Sequence, residues 1–364
     1  MNVNAKSWGN EMGAADKRSM SNSDRALLAS FQSEADTVLV DAMGDLPDEV
    51  AVLDFPRHQN AGDTLIWRGE MTQLDRMGVR VAYVADIGRY NQAEMDRRVP
   101  SGPILLHGGG NFGDVWPQFQ DEREQVVLRN PNRRIVCLPQ SLKFSSPQRA
   151  ARTNEIFAAH GGVTVLARDH TSVDHARHWL PDVDIRFSRD AALGNKPVEV
   201  PAAPVTGLLV LQRKDLESNG RLSGYQEFDH QIADWGLTGV AAARWYLNRA
   251  PLAAYKRLPS IGRRVLQPVV DRRYTNFVRL NMESAEALVA RGRVLVTDRL
   301  HAHVLACLMG IPNIVLDNNY GKIRPIFNEY TGQFSTAHFA NSSLEVRQIL
   351  GQLMEGPKIA STAT

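Results

Sequence analysis

Five cationic side chains could bind a small anion, and each lies near the end of a short apolar run that predicts a β-strand. They are Arg168, Arg213, Arg299, His301 and Lys322. Arginine offers a forked donor to a carboxylate or phosphate, and histidine can donate a hydrogen bond or move a proton near neutral pH. Ligands of an open parallel sheet gather at the carboxyl ends of its strands. We therefore predict a shared site for a small substrate with more than one negative charge, although Arg168 could instead pair with Asp169 or a neighbouring acid on the surface.

Two short segments near the same predicted strand ends carry little side-chain bulk. Residues 60–63 read Asn-Ala-Gly-Asp and precede a helical pattern, and residues 107–114 read His-Gly-Gly-Gly-Asn-Phe-Gly-Asp. Glycine lets backbone N–H groups approach an anion or a sugar closely, and a helix N-terminus attracts anions. The glycine run lacks the Lys-Ser/Thr pair of a nucleotide P-loop and the spacing of a dinucleotide fold, which argues against ATP and NAD. The alternatives are a capped helix start and a tight structural turn.

A histidine-rich segment could be a metal site. His170, His175 and His178 lie close to Asp174 in the sequence. These residue types bind zinc, but a surface helix that bears histidines is the commoner arrangement. We predict no metal site.

The elements that must position these residues follow from the alternation of short apolar runs with longer amphipathic stretches. This pattern predicts an α/β fold with mostly parallel sheets, and 364 residues suit two domains better than one. Glycine and prolines between residues 193 and 204 mark the boundary. We predict a mobile tail (1–24), an N-terminal α/β domain with the glycine run (25–195), a C-terminal α/β domain (196–345), and a C-terminal helix and tail (346–364).

The segment from 244 to 279 is strongly basic, with nine arginines and lysines against the single acid Asp271. Leucine, isoleucine, valine and tyrosine residues alternate with these charges. The segment could rest on an anionic membrane face, or it could be a solvated helical surface of an insertion. Helices are predicted on either side of it, near 230–248 and 282–291.

Composition excludes several classes of function. The net charge is +2, with 42 basic and 40 acidic side chains, so the chain is no nucleic-acid-binding polycation. Cys137 and Cys307 lie in apolar runs, which suits buried thiols in a reducing compartment. Apolar runs of signal-peptide or membrane-spanning character are missing. We expect a cytoplasmic protein.

Taken in order, these motifs resemble the polysaccharide pyruvyl transferase family over about residues 50–330. The segments that carry the resemblance are Asn60 to Asp63, Gly108 to Asp114, Pro139 to Ser141, Arg168 to Ser172 and Thr297 to His301, with Lys322 beyond. The resemblance implies two Rossmann-like domains that face each other across a cleft, similar to GT-B glycosyltransferases. It also implies phosphoenolpyruvate as donor, a sugar of a surface glycan or its lipid-linked precursor as acceptor, and no metal or redox cofactor.

The resemblance further suggests roles for individual residues. Donor binding falls to Arg299 and His301, with Lys322, Arg168 and Arg213 as further donor-side cations. The acceptor or loop candidates are Asn60, Gly62, Gly109, Gly110 and Asn111.

Proton transfer in the implied reaction falls to Asp63 or Asp114 as base and His301 as acid, because neighbours can tune the pKa of these groups. Asp63 could instead only cap the helix that follows it. Two other classes remain as alternatives: a nucleotide-sugar glycosyltransferase of the same architecture and a non-catalytic glycan-binding scaffold.

Overall fold

The first of two parallel sheets is built from the N-terminal half of the chain. In this computed structural model, the structure describes residues 18–200, 203–213, 222–317 and 321–355. The strands of the first sheet are β1 Glu49–Leu53, β2 Arg80–Ala85, β3 Ile104–Leu106, β4 Gly109–Gly113, β5 Ile135–Lys143, β6 Val163–Ala167 and β7 Asp184–Phe187. Their order is β2-β1-β3-β5-β6-β7. After β3 ends, two residues intervene before β4, which pairs with the C-terminal part of β5.

The second sheet has five parallel strands in the order β12-β11-β10-β8-β9. They are β8 Thr206–Leu211, β9 His230–Ala233, β10 Gly292–Thr297, β11 Asn313–Val315 and β12 Ala337–Phe339. Two parallel sheets joined by helices confirm the predicted α/β fold with two Rossmann-like units.

Helices cover both sheets, which is why the strands are apolar along nearly their whole length. The helices are α1 Asn22–Met43, α2 Ala61–Arg76, α3 Gln92–Arg98, α4 Pro117–Arg129, α5 Pro147–His160, α6 His170–Trp179, α7 Gly239–Leu247, α8 Arg249–Arg257, α9 Ser260–Val289, α10 Leu300–Leu308, α11 Ile323–Glu329 and α12 Ser343–Glu355. Of the described helices, none is long and apolar enough to cross a membrane.

Successive residues of the first sheet point into two separate cores. Ala51 and Leu53 of β1 pack in one core with residues of α3 to α6. Val50 and Val52 pack in the other core with residues of α2 and α7 to α9. Because successive side chains of a strand point to opposite faces, each face of the sheet packs against its own set of helices.

Two helices contribute to the cores of both sheets. On α1, Phe31 packs with residues of the second sheet and Met43 with residues of the first. On α9, Tyr274 belongs to the core of the first sheet and Val289 to that of the second. Each helix fixes one sheet relative to the other because its two ends are buried in different cores.

Three sequence predictions need correction here. Residues 18–24, which we expected in a mobile tail, are ordered: Met20 is buried and the Arg18 side chain donates to the carbonyls of Ala290 and Gly292. The rest of that tail and residues 356–364 lie outside the described residues. The helix expected near 230–248 is the strand β9 followed by the shorter helix α7. The helix expected near 282–291 is the last part of α9.

The basic segment 244–279 also differs from the prediction. We assigned it to the C-terminal domain as an insertion, but several of its apolar residues pack on the first sheet. Leu252, Tyr255 and Val270 are buried there beside strand residues such as Val52. These three side chains therefore cannot rest on a membrane.

Candidate active site

Two of the predicted cations meet over the glycine run. A β-carbon built on Gly110 would lie 3.6 Å from Nζ of Lys322 and 3.7 Å from a terminal nitrogen of Arg168. Arg168 follows β6 in the first sheet, and Lys322 follows β11 in the second. The absence of a side chain at Gly110 thus leaves a small space with two cations from different sheets on its border.

Asp190 links the two halves of this site, and the sequence analysis missed it. Its Oδ2 accepts from Nη1 of Arg168 at 2.7 Å and lies 3.3 Å from Nε2 of His301. Burial alone raises the pKa of Asp190, but Arg168 and His301 hold it well below its usual range. Asp190 follows the end of β7, as Arg168 follows the end of β6. The expectation that ligand-binding residues lie at the carboxyl ends of parallel strands therefore applies to Asp190 as well.

Further hydrogen bonds fix the guanidinium of Arg168 within the protein. Its Nε donates to Oγ of Ser141 at 2.8 Å, and its backbone carbonyl accepts from the hydroxyl of Tyr330 at 3.0 Å. Burial lowers the pKa of Arg168, but Asp190 and nearby groups raise it on balance, so the side chain keeps its charge. The predicted alternative, a surface pair with Asp169, does not describe this buried arrangement.

The start of α2 lies against His301. A β-carbon on Gly62 would lie only 2.8 Å from Nδ1 of His301, closer than real β-carbons come to other atoms. Asn60 caps the helix by accepting from the N–H of Gly62 at 3.0 Å. His301 therefore sits between the positive end of α2 and the carboxylate of Asp190.

Asp63 lies next to Gly109, the residue that precedes Gly110 in the glycine run. Its Oδ1 is 3.6 Å from the position of a β-carbon on Gly109. Its Oδ2 accepts from the side-chain amide of Asn60 at 2.8 Å and lies 3.6 Å from Nε2 of His58. The cap of α2 is Asn60, so the alternative that Asp63 merely caps the helix is wrong.

Arg299 and Arg213 are held by acids of the second sheet. The Arg299 guanidinium donates to both carboxylate oxygens of Asp234, at 2.7 and 2.9 Å, just beyond β9. The backbone N–H of Arg213 donates to Oδ1 of Asp298 at 3.1 Å. Burial raises the pKa of Asp298. These contacts join the carboxyl ends of β8, β9 and β10; a direct role of either arginine in donor binding stays a prediction.

Asp114 and Asn111 have partners in the N-terminal half of the chain, just after β5 and on α4. The Asp114 carboxylate accepts from the backbone N–H groups of Ser145 and Ser146, which lowers its pKa against the effect of burial. Asn111 accepts from the guanidinium of Arg123 through its carbonyl and side-chain oxygens. Residues Gly109–Gly113 of the glycine run form the strand β4, where we expected only a loop. A role for Asp114 as base stays a prediction.

The histidines of α6 do not form a metal cluster. His170 pairs with Glu329 at 3.0 Å and stacks on Phe187. Across the described ranges, no group of three or more His, Cys, Asp or Glu side chains is placed to hold a metal ion.

Comparison with known proteins decides the family. A family model described as polysaccharide pyruvyl transferase matches residues 60–320, which include the Gly110, Arg168 and His301 parts of the site. The chain belongs to this family. The sequence motifs therefore identified the family correctly.

Relatives in the pyruvyl transferase family span most of the chain. Pyruvyl transferase 1 of Schizosaccharomyces pombe is 30% identical over 297 residues, which cover 78% of this chain and 69% of that protein. EpsO of Bacillus subtilis, which carries a provisional pyruvyl transferase assignment, is 29% identical over 289 residues, covering 78% and 85%. A functionally uncharacterised protein of Klebsiella pneumoniae superposes with a TM-score of 0.54 at 16% identity, covering 86% of this chain and 99% of that one. This last likeness supports the fold alone.

Proposed function

We propose that the chain transfers a pyruvyl group from phosphoenolpyruvate to two hydroxyls of one sugar and so forms a cyclic pyruvate ketal. The acceptor is a sugar of a surface glycan or of its lipid-linked precursor. The observation that carries the proposal is the pair of cations, Arg168 and Lys322, that converges on Gly110 of the glycine run. The proposal needs no metal or redox cofactor.

The charges of this site suit the donor. Phosphoenolpyruvate carries a carboxylate and a phosphate on one small carbon frame, so it needs several donors held at fixed spacing. Arg168, Lys322, His301 and the N-terminus of α2 supply them. Asp190 cancels part of the charge of Arg168 but also fixes the guanidinium and the imidazole of His301 in place. A rigid site loses less entropy when the donor binds.

Two residues of the site carry out proton transfer, His301 toward the donor and Asp63 toward the acceptor sugar. His301 is the acid that gives a proton to the methylene carbon of the donor, which creates oxocarbenium character at the neighbouring carbon. A sugar hydroxyl attacks that carbon and gives its proton to Asp63, and phosphate leaves. The second hydroxyl then closes the ring and also loses its proton. The two hydroxyls lose two protons in all. One of them replaces the proton that His301 gave to the methylene carbon, and the other leaves with phosphate.

Arg299 and Arg213 support the donor side from a greater distance in this proposal. The forked contact of Arg299 with Asp234 fixes the residue that precedes α10, and His301 lies in the first turn of that helix. The contact of Arg213 with Asp298 joins the end of β8 to the end of β10. Both arginines thereby fix the start of α10, and with it His301, on the second sheet.

A donor-binding experiment tests the proposed reaction against its rival. A ligand that binds only the folded state raises the melting temperature of the protein. Phosphoenolpyruvate should therefore raise the melting temperature, and UDP and GDP should leave it unchanged. The opposite result would favour a nucleotide-sugar glycosyltransferase.

We also propose that the protein meets an anionic membrane face through one exposed stripe of α9. Ile261 and Val265 are 80% and 75% exposed, and the arginines 264 and 272 are exposed beside them. Asp271, the single acid among residues 244–279, pairs with Arg98 instead of neutralising the stripe. Exposed apolar side chains beside exposed arginines suit the surface of an anionic bilayer, where lipid-linked acceptors are anchored.

A further inference from the structure

A buried acid–histidine pair lies beside the glycine run and has no part in the chemistry described so far. Nδ1 of His107 is 2.8 Å from Oε2 of Glu70, and both side chains are almost fully buried. The other carboxylate oxygen of Glu70 accepts from the backbone N–H of Gly108 at 2.7 Å. A carboxylate at Glu70 can only accept a hydrogen bond, so in the neutral ring of His107 the hydrogen lies on Nδ1. The neutral ring therefore has its lone pair on Nε2.

Nε2 of His107 has no hydrogen-bond partner among the described residues, although it is buried. A second buried histidine, His303, shows the ordinary structural alternative. Its Nδ1 is 2.5 Å from the side-chain oxygen of Asn313, and its Nε2 is 2.8 Å from the hydroxyl of Thr331. A buried polar atom without a partner costs free energy and calls for a functional reason.

The position of His107 supplies that reason. It directly follows β3, and its N–H donates to the carbonyl of Leu53 at the end of β1, so it lies at the carboxyl edge of the sheet. It precedes Gly110, where the cations Arg168 and Lys322 meet, by three residues. The side-chain amide of Gln140 holds the His107 carbonyl at 2.5 Å. The pair therefore stands at the carboxyl edge of the first sheet, where β3 ends and the chain leads to Gly110.

Asp54, the residue after Leu53, is a second unusual group at this edge. Its φ of 68° lies in the left-handed region, which costs a non-glycine residue free energy. Burial raises the pKa of Asp54, and its carboxylate lies 3.3 Å from the guanidinium of Arg123. Backbone strain of this kind concentrates at functional sites.

We propose that Nε2 of His107 accepts the proton of one acceptor hydroxyl during ketal formation, with Glu70 as its positioning residue. This inference rests on the proposed function and assigns a second proton acceptor at the same site. Ketal formation removes a proton from each of two hydroxyls, and Asp63 takes the proton of the first, which leaves the second hydroxyl without an assigned proton acceptor. The O–H bond of one hydroxyl breaks as its oxygen bonds to the donor carbon. Its proton moves to Nε2 and then leaves to water or phosphate.

The charged groups around His107 predict the pH dependence. Glu70 and Asp63 face it from α2 and Asp54 from the end of β1, where Arg123 of α4 partly neutralises Asp54. Burial lowers the pKa of His107, but these acids, Glu70 foremost, raise it on balance above 6.5. The base must be unprotonated, so transfer falls as the pH drops through this raised value.

The test uses the full chain with phosphoenolpyruvate and, as acceptor, the glycan and lipid-linked oligosaccharide fraction of cells that lack the gene. Phosphate release that depends on acceptor is measured across pH for the unaltered protein, His107→Gln, Glu70→Gln and the control His178→Gln, an exposed histidine of α6. We expect His107→Gln to lose at least about a hundredfold in turnover, the scale of general base catalysis. Glu70→Gln should move the acid limb of the profile to lower pH, and His178→Gln should match the unaltered protein.

The outcomes separate this inference from the proposed function. The rise in melting temperature with phosphoenolpyruvate should persist in both variants, which shows that they fold and bind donor. Near-normal turnover by His107→Gln, or an unmoved acid limb in Glu70→Gln, would overturn the role of the pair while leaving the pyruvyl transfer intact. Absence of transfer by the unaltered protein would contradict the proposed function and this inference with it.

Discussion

Gly62 shows how a single residue can be required for reasons of space. Its α-carbon lies so close to His301 that an added methyl group would come within 2.8 Å of Nδ1. The contact lies in the first turn of α2, where the helix needs no glycine for its own backbone. The requirement for glycine therefore comes from the neighbouring imidazole.

Replacing Gly62 by alanine should displace His301 and leave the fold intact. Alanine favours a helix by about 0.5–1 kcal/mol over glycine, whereas a catalytic group misplaced by about 1 Å can lower the rate by about a hundredfold. We expect transfer to fall by about that factor with no loss of free energy of unfolding. Gly351→Ala in α12 is the control, because a β-carbon there would meet nothing within 4 Å. Equal activity of the two variants would show that His301 does not need this position.

The residues of the site were predictable where a motif marked them. Gly110, Arg168, His301 and Lys322 all come together as the strand-end rule expects. Asp190 was not predicted because it follows a short half-buried strand, β7, with no glycine or apolar run to draw attention to it. The pair of Glu70 and His107 joins residues 37 positions apart, so only the packing of α2 against the end of β3 brings them together.

At the scale of elements, apolar runs predicted the central strands well because burial on both faces leaves little room for polar residues. β9 was missed because its four residues include His230 and Gln231 and none is buried. α1 was missed because polar residues interrupt its apolar ones throughout, and the apolar residues serve two cores at once. The basic charge of segment 244–279 was predicted from the sequence. Its packing against the first sheet was not, because that packing depends on contacts between residues far apart in the chain.

The exposed stripe of α9 leads to a prediction about membranes. Replacing Ile261 by serine and Arg264 by glutamine removes one apolar contact and one charge, which is worth about 1 kcal/mol near an anionic surface. Cosedimentation with vesicles rich in phosphatidylserine should fall markedly in this variant.

The matched control for α9 lies on α4. Leu128→Ser with Arg129→Gln also removes an exposed apolar residue and a neighbouring arginine, but α4 covers the opposite face of the first sheet. Its binding to vesicles should be unchanged. Equal loss of binding in both variants, or no binding by the unaltered protein, would contradict the membrane proposal.

At the scale of the whole molecule, Asp190 joins the two sheets through charge. It pairs with Arg168 of the first sheet and faces His301 of the second, and all three are buried or nearly so. Removing one partner of a buried pair costs about 3–5 kcal/mol, because the remaining charge stays without compensation.

Asp190→Asn should therefore lower the free energy of unfolding by about 3–5 kcal/mol at neutral pH. The pKa of Asp190 is depressed in the folded state, so its stabilisation is fully present above the unfolded value of about 3.9 and is lost as the pH falls toward the folded value. Urea denaturation across pH should show the difference from the unaltered protein shrinking below about pH 4.

The control is Asp184→Asn, at the other end of β7 and half-exposed, which should change the free energy of unfolding by less than about 1 kcal/mol. A difference that does not vary with pH would contradict the charged link.

The most direct measurement of the central claim is mass spectrometry of surface glycans from cells without the gene, complemented either with the unaltered gene or with Lys322→Ala. The account predicts a pyruvyl increment on one sugar that is lost without the gene, returns with the unaltered gene and stays absent with Lys322→Ala. A glycan profile that keeps the increment without the gene, or regains it fully with Lys322→Ala, would contradict the account.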